Sequence, residues 1–156
     1  MNKNVIIQKL NTIGGIIQVI SLLLPTIFII TEFRNTSGFI LMWLFGLAFM
    51  DFKPQALYGF YFIPDAPLYF GSIISIILLY IGMVCVRKES ADLKIFGIIS
   101  IILIVSYYVG LYIVYIIIQS LIGSNKFEIL IIPFIGFFGI ILGASLVIFS
   151  SIRSEK

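Results

Sequence analysis

The chain has 156 residues, 61% of them hydrophobic and 11% charged, with a mean hydropathy of +1.19 and a formal net charge of +3. A soluble domain carries about 25% charged residues, so this composition excludes a water-soluble fold and predicts one membrane-embedded domain spanning 1–156. The basic residues are scattered rather than gathered into a stripe, which speaks against nucleic-acid binding. With 0 His and a lone Cys85, the commonest metal ligand, the most frequent general base and any internal disulfide are missing.

The first long apolar run is Leu10 to Ile30, interrupted only by Asn11, Thr12, Gln18, Ser21 and Thr26. At 1.5 Å per residue a helix of that length crosses the ~30 Å hydrocarbon core. A cleaved signal peptide is the competing reading, since Lys3 and Lys9 precede the run. The run outlasts an ordinary signal core, however, and Glu32, Phe33 and Arg34 follow it instead of a small-x-small cleavage site.

A loop over 31–69 comes next and carries nearly half of the aromatic residues of the chain. Within it, Gly38–Met50 is apolar but too short to span, as in interfacial or re-entrant segments. Gln55–Ile63, rich in Tyr and Phe, suits a strand, and Pro64-Asp65-Ala66-Pro67 reads as a turn. Phe39, Trp43, Phe45, Phe49, Tyr58, Phe60, Tyr61 and Phe62 form either an interfacial belt or an exposed recognition surface.

Three further spans follow, at about 70–86, 95–118 and 129–152, all without a charged residue. They are separated by the polar Arg87–Lys94 and by Gln119–Glu128, in which Gly123, Ser124 and Asn125 are helix-stop signals. The fold class predicted is all-α: a four-helix transmembrane bundle, with an interfacial helix and a small extracellular β-hairpin or sheet in the first exterior loop. Placing both termini in the cytoplasm puts Lys3, Lys9, Arg87, Lys88, Lys94, Arg153 and Lys156 inside, seven of the 10 basic residues. The sequon Asn35-Thr36-Ser37 would then face outward.

Helices associate in lipid through small residues and a few hydrogen bonds. Gly136, Gly139, Gly143 and Ser150 share one face of the last span, which either closes the bundle or meets another subunit. Gly71, Ser75 and Gly82 mark the second span, Gly14, Gln18, Ser21 and Pro25 the first, and Ser106 and Gly110 the third. Tyr108, Tyr112 and Tyr115 share a face of the third span, and with Gln18 and Ser21 they are candidates for a polar intramembrane lining.

No ionisable residue lies inside the four spans, and the exterior acids Glu32, Asp51, Asp65 and Glu128 have no metal-ligand or acid–base spacing. No catalytic residue, metal site or cofactor is expected, and the reading is non-enzymatic.

Leu24-Pro25 near the outer end of the first span, Gly46-Leu47 in the exterior loop and the order of spans and loops together resemble the claudin and peripheral myelin protein group. The resemblance covers nearly the whole chain and implies an exterior β-sheet with lateral or cell-to-cell association. It departs at Ala48, where the group has Trp, and in lacking the paired cysteines that staple its sheet. The expected function is association: an accessory subunit of a membrane complex or a claudin-like self-associating scaffold, with membrane lipids and other subunits or copies of itself as partners. The alternative is a small transporter, channel or lipid-handling protein.

Overall fold

The computed structural model describes residues 3–33, 36–53, 57–62, 66–87, 93–122 and 127–154. In chain order these form α1 (Lys3–Leu22), β1 (Ile27–Phe33), β2 (Thr36–Met42), β3 (Leu47–Lys53), β4 (Leu57–Phe62), α2 (Ala66–Arg87), α3 (Leu93–Ile122), β5 (Phe127–Pro133) and α4 (Ile135–Ser154). Asn35 of the sequon, Pro64 and Asp65 of the expected turn, and Gly123, Ser124 and Asn125 lie outside the described residues.

The expected all-α, four-helix transmembrane bundle is overturned. The five strands form one antiparallel sheet in the order β4-β3-β2-β1-β5. Among the described residues three helices, not four, are long and apolar enough to cross a membrane, over Phe70–Arg87, Leu93–Ile117 and Ile135–Arg153. The reason lies in two apolar runs that hydropathy alone cannot assign. In the first, α1 ends at Leu22, Pro25 cannot donate to a helical ladder, and the Ile-rich residues after it go into β1. What remains of the run inside α1 is Leu10–Leu22, too short by itself to cross the ~30 Å hydrocarbon core. In the second, Ile129–Pro133 is strand, and the last helix begins only at Ile135. Branched residues suit the pleated surface, and proline again marks the boundary.

The 13-residue apolar run at Gly38–Met50 is likewise neither an interfacial helix nor re-entrant. It is the hairpin β2–β3. Its turn closes through Gly46 N–H donating to Trp43 O at 3.1 Å and Trp43 N–H donating to Leu47 O at 2.8 Å. Gly46 has φ of 91°, a conformation that favours glycine and returns the chain with the twist a hairpin needs.

Helices and sheet form two layers. α1 lies between α2 and α4, α4 also packs on α3, and the α2–α3 contact is the sparsest of the four. The layer is inverted relative to a soluble bundle. Asn11, Gln18, Ser21, Ser75, Ser100, Ser150 and Ser151 are buried, whereas Ile73, Ile76, Tyr80, Ile102, Val109, Ile113, Phe138 and Leu142 are exposed. Polar groups inside and large apolar groups outside is the distribution a lipid solvent selects, so the fold is that of a protein able to lie in a membrane.

The layers join at one junction. Thr26 N–H donates to Met42 O, Phe134 N–H to Thr26 O, each at 2.8 Å, and Gly136 N–H to Pro25 O at 2.9 Å. Pro25 and Thr26, the two residues before β1, thus fasten it to β2 and to the start of α4 at once. The inner face of the sheet rests on the helices through Ile27, Met42 and Ala48, all buried, with Ile29, Ile40, Met50 and Ile131 around them.

Candidate functional site

The register of the sheet decides where each exterior aromatic residue points, because directly paired residues share a face and neighbours along a strand alternate. On the outer face the row nearest the helices is Ile132, Phe28, Leu41, Phe49 and Phe60, read across β5-β1-β2-β3-β4. The next row is Leu130, Ile30, Phe39, Asp51 and Tyr58, and the third is Glu128, Glu32, Ser37 and Lys53. An antiparallel sheet with one face on a core is expected to turn polar side chains outward. Here nine of the ten outward positions in the two rows nearest the helices are apolar, Asp51 being the exception, and the other charged residues of this face gather at the far end.

The rings are in mutual contact across the sheet. Phe134 meets Phe28 with centroids 5.7 Å apart, Phe28 meets Phe39 at 5.6 Å, and Phe39 meets Phe49 at 6.1 Å. Phe49 then meets Tyr58 at 5.4 Å and Phe60 at 5.1 Å, and Phe60 meets Trp43 at 6.1 Å. Such pairs add about 0.5–1.5 kcal/mol each beyond their buried area, so the ladder is a stiff apolar plate. Among the described residues nothing covers it toward β4 and β5: Tyr58 is 70%, Phe60 65% and Leu130 56% exposed.

The sequence-predicted aromatic set therefore divides. Phe39, Phe49, Tyr58 and Phe60 belong to the outer plate. Tyr61 sits in register with Ala48 on the other face, and Phe62 pairs with Leu47 at the end of β4. Trp43 and Phe45 form the β2–β3 turn, which clamps sheet to helices: Trp43 Nε1–H donates to Leu23 O at 2.9 Å, and Ser72 Oγ–H to Phe45 O at 3.3 Å. Phe28, Ile30, Leu41, Leu130, Ile132 and Phe134 complete the plate and were missed, because hydropathy assigned most of them to spans. Pro25 and Pro133, each flanking an Ile-rich run, were the available signal.

The small-residue face of α4 meets α1 of the same chain. A Cβ at Gly136 would lie 2.7 Å from Leu24 O, one at Gly143 2.6 Å from Gly14 O, and one at Gly139 would collide with Ser21 Oγ. Ser150 Oγ reaches Asn11 Oδ1.

The five residues predicted as a polar lining are not brought together. Gln18 is fully buried, and its side-chain amide lies 3.0 Å from Ser100 Oγ. Ser21 Oγ–H donates to Ile17 O at 2.6 Å within its own helix. Tyr108 Oη–H donates to Ile131 O at 2.9 Å and ties α3 to β5, whereas Tyr112 and Tyr115 contact each other with centroids 6.1 Å apart, Tyr112 being half-exposed. Among the described residues no group of His, Cys, Asp and Glu is placed to hold a metal ion.

No known protein family's sequence profile matches the chain, and no curated protein shows significant similarity to it.

Proposed function

We propose that this is a non-enzymatic integral membrane protein that works by association, as an accessory subunit of a membrane complex or a claudin-like self-associating scaffold, with the outer face of the sheet as its contact surface. The observation that carries the reading is the two-row apolar plate, which crosses all five strands where polar residues belong. Aromatic side chains supply most of the energy of well-packed interfaces at little entropic cost. The sheet lies at the exterior surface and both termini are cytoplasmic in this reading. Its support is the charge distribution: Lys9, Arg87, Lys94 and Arg153 lie at the helix ends away from the sheet. The exterior sheet is also the element that the resemblance to claudins and peripheral myelin protein implies.

The test is the mass of the particle released from its native membrane by gentle solubilisation, for the parent and for Phe49→Thr with Phe60→Thr. Threonine keeps strand propensity while removing both rings. The parent is expected to travel above the mass of one chain and the double variant to lose that excess, with circular dichroism unchanged. An unchanged particle mass in the double variant sinks the reading.

A further inference from the structure

The outer face of the sheet carries two opposite charges placed symmetrically about its middle strand. In the third row from the helices, Ser37 of β2 pairs with Glu32 of β1 on one side and with Lys53 of β3 on the other. All three side chains are exposed. β2 is also the third of the five strands, with β3 and β4 to one side and β1 and β5 to the other. A two-fold axis running along β2 is therefore the one axis parallel to the strands that lays all five strands of one copy over all five of another.

That operation has a definite outcome at each position, because a two-fold interface sets residue i on j and j on i. Each row faces the same row of the copy, while β1 exchanges with β3 and β5 with β4. Glu32 then meets Lys53 of the copy, and Lys53 meets its Glu32. In the apolar rows Phe28 meets Phe49 and Leu130 meets Tyr58. Tyr58 and Leu130, among the most exposed side chains of the plate in one chain, cover each other. Asp51 is the mismatch: it meets Ile30, and the adjacent positive charge is Lys53, two residues along the same face of its own strand. Axes over the neighbouring strands do worse. One along β3 sets Lys53 on Lys53, one along β1 sets Glu32 on Glu32, and each leaves two strands uncovered.

The area is sufficient. Five strands about 4.8 Å apart and three rows about 7 Å apart make a footprint of roughly 500 Å² on each copy. The two copies together bury roughly 1,000 Å², the size at which specific interfaces begin. An axis along the strands also keeps both sets of helices at the same end, as two copies in one membrane require.

We propose that the partner of the outer plate is a second copy of this chain, seated face to face about a two-fold axis along β2 and held in register by reciprocal Glu32–Lys53 ion pairs. This rests on the plate being the contact surface, and it names self-association as the use of that surface. Rim charges of this kind fix register and exclude wrong partners more than they add affinity.

The test uses the purified chain in phosphatidylcholine vesicles and a short bis-thiosulfonate cross-linker. In a Cys85→Ala background, Ser37→Cys puts a thiol on the axis, and Ile102→Cys, exposed on α3, is the control. Ser37→Cys is expected to give cross-linked dimer at a yield several-fold above the control. Adding Lys53→Glu or Glu32→Lys alone sets like charges together in both pairs and should cut the yield about threefold or more. The two together exchange the charges and should restore it. A Ser37→Cys yield no higher than the control, or no recovery in the charge-exchanged variant, overturns the second copy as partner. The native particle with Phe49→Thr and Phe60→Thr tells the two failures apart: lost mass without a cross-link leaves the plate to a different chain, and unchanged mass removes the plate itself.

Discussion

Ser100 Oγ of α3 lies 3.0 Å from Gln18 Oε1 of α1, and neither side chain is exposed. The same hydroxyl is 3.0 Å from Phe96 O, although it has one proton to give, and Gln18 Nε2 has no partner. Turning the amide over gives the hydroxyl a single acceptor and Nε2 a partner: Nε2 donates to Ser100 Oγ, the hydroxyl proton goes to Phe96 O, and Oε1 is left as the unpaired atom. α1 packs chiefly on α2 and α4. This pair is its tie to α3. Ser100→Ala should destabilise the protein by about 1 kcal/mol, and a cycle with Gln18→Leu should return a coupling of about 0.6–1.7 kcal/mol, read from unfolding in mixed detergent micelles. Additive single effects would show that the pair carries no stabilising interaction.

Gly14 and Gly143 set the distance between α1 and α4. A Cβ on either would lie 2.6 Å from the carbonyl oxygen of the other, backbone against backbone, with no flexible group to yield. Gly143→Ala is therefore expected to cost about 1–3 kcal/mol by forcing the helices apart. Gly110→Ala is the internal contrast: with open space around it, the gain in helix propensity should raise stability by up to about 1 kcal/mol. Thermal unfolding of the two variants in one detergent compares them directly, and similar shifts would refute the close-approach argument.

Gly59 presents the opposite problem, one of conformation rather than space. The nearest atom to a Cβ there is Tyr61 Cε2 at 4.0 Å, but φ is +143°. Side-chain-bearing residues rarely adopt that backbone, and holding one there costs about 1–3 kcal/mol. Because Gly59 is on the outermost strand, Gly59→Ala should loosen β4 alone. Hydrogen exchange is expected to accelerate at the β3–β4 rungs and stay unchanged between β1 and β5.

Trp43 is the single tryptophan of the chain, so its fluorescence reports one place, the turn that fastens the sheet to α1 through Leu23 O. If the sheet rests on the membrane surface as proposed, lipids brominated near the ester end of the chain should quench it more strongly than lipids brominated near the methyl end. Equal or reversed quenching would place the turn elsewhere. Trp43→Phe should cost about 0.5–1.5 kcal/mol through the lost hydrogen bond.

The legible and illegible parts of this fold divide on a physical line. The expected spans at 70–86 and 95–118 lie within α2 and α3, because long unbroken apolar runs have no other stable use. Ile27–Phe33 and Phe127–Pro133 were hidden, since an apolar strand and an apolar helix have the same hydropathy and both runs adjoin helices. The aromatic loop was recognised by composition. Its division into plate, turn and inner face was not, because that depends on register, which long-range pairing sets.

β1 occupies an awkward place in time. It pairs with β2 on one side and with β5 on the other, and Phe28 and Ile132, which face each other, are about a hundred residues apart along the chain. During synthesis the first four strands emerge long before the fifth. Until β5 arrives, one edge of β1 has every second backbone group unpaired beside a growing set of apolar helices. Biogenesis of this protein therefore has a vulnerable interval, and whatever shields that edge during it, whether the insertion machinery or a companion subunit, acts before the mature surface exists.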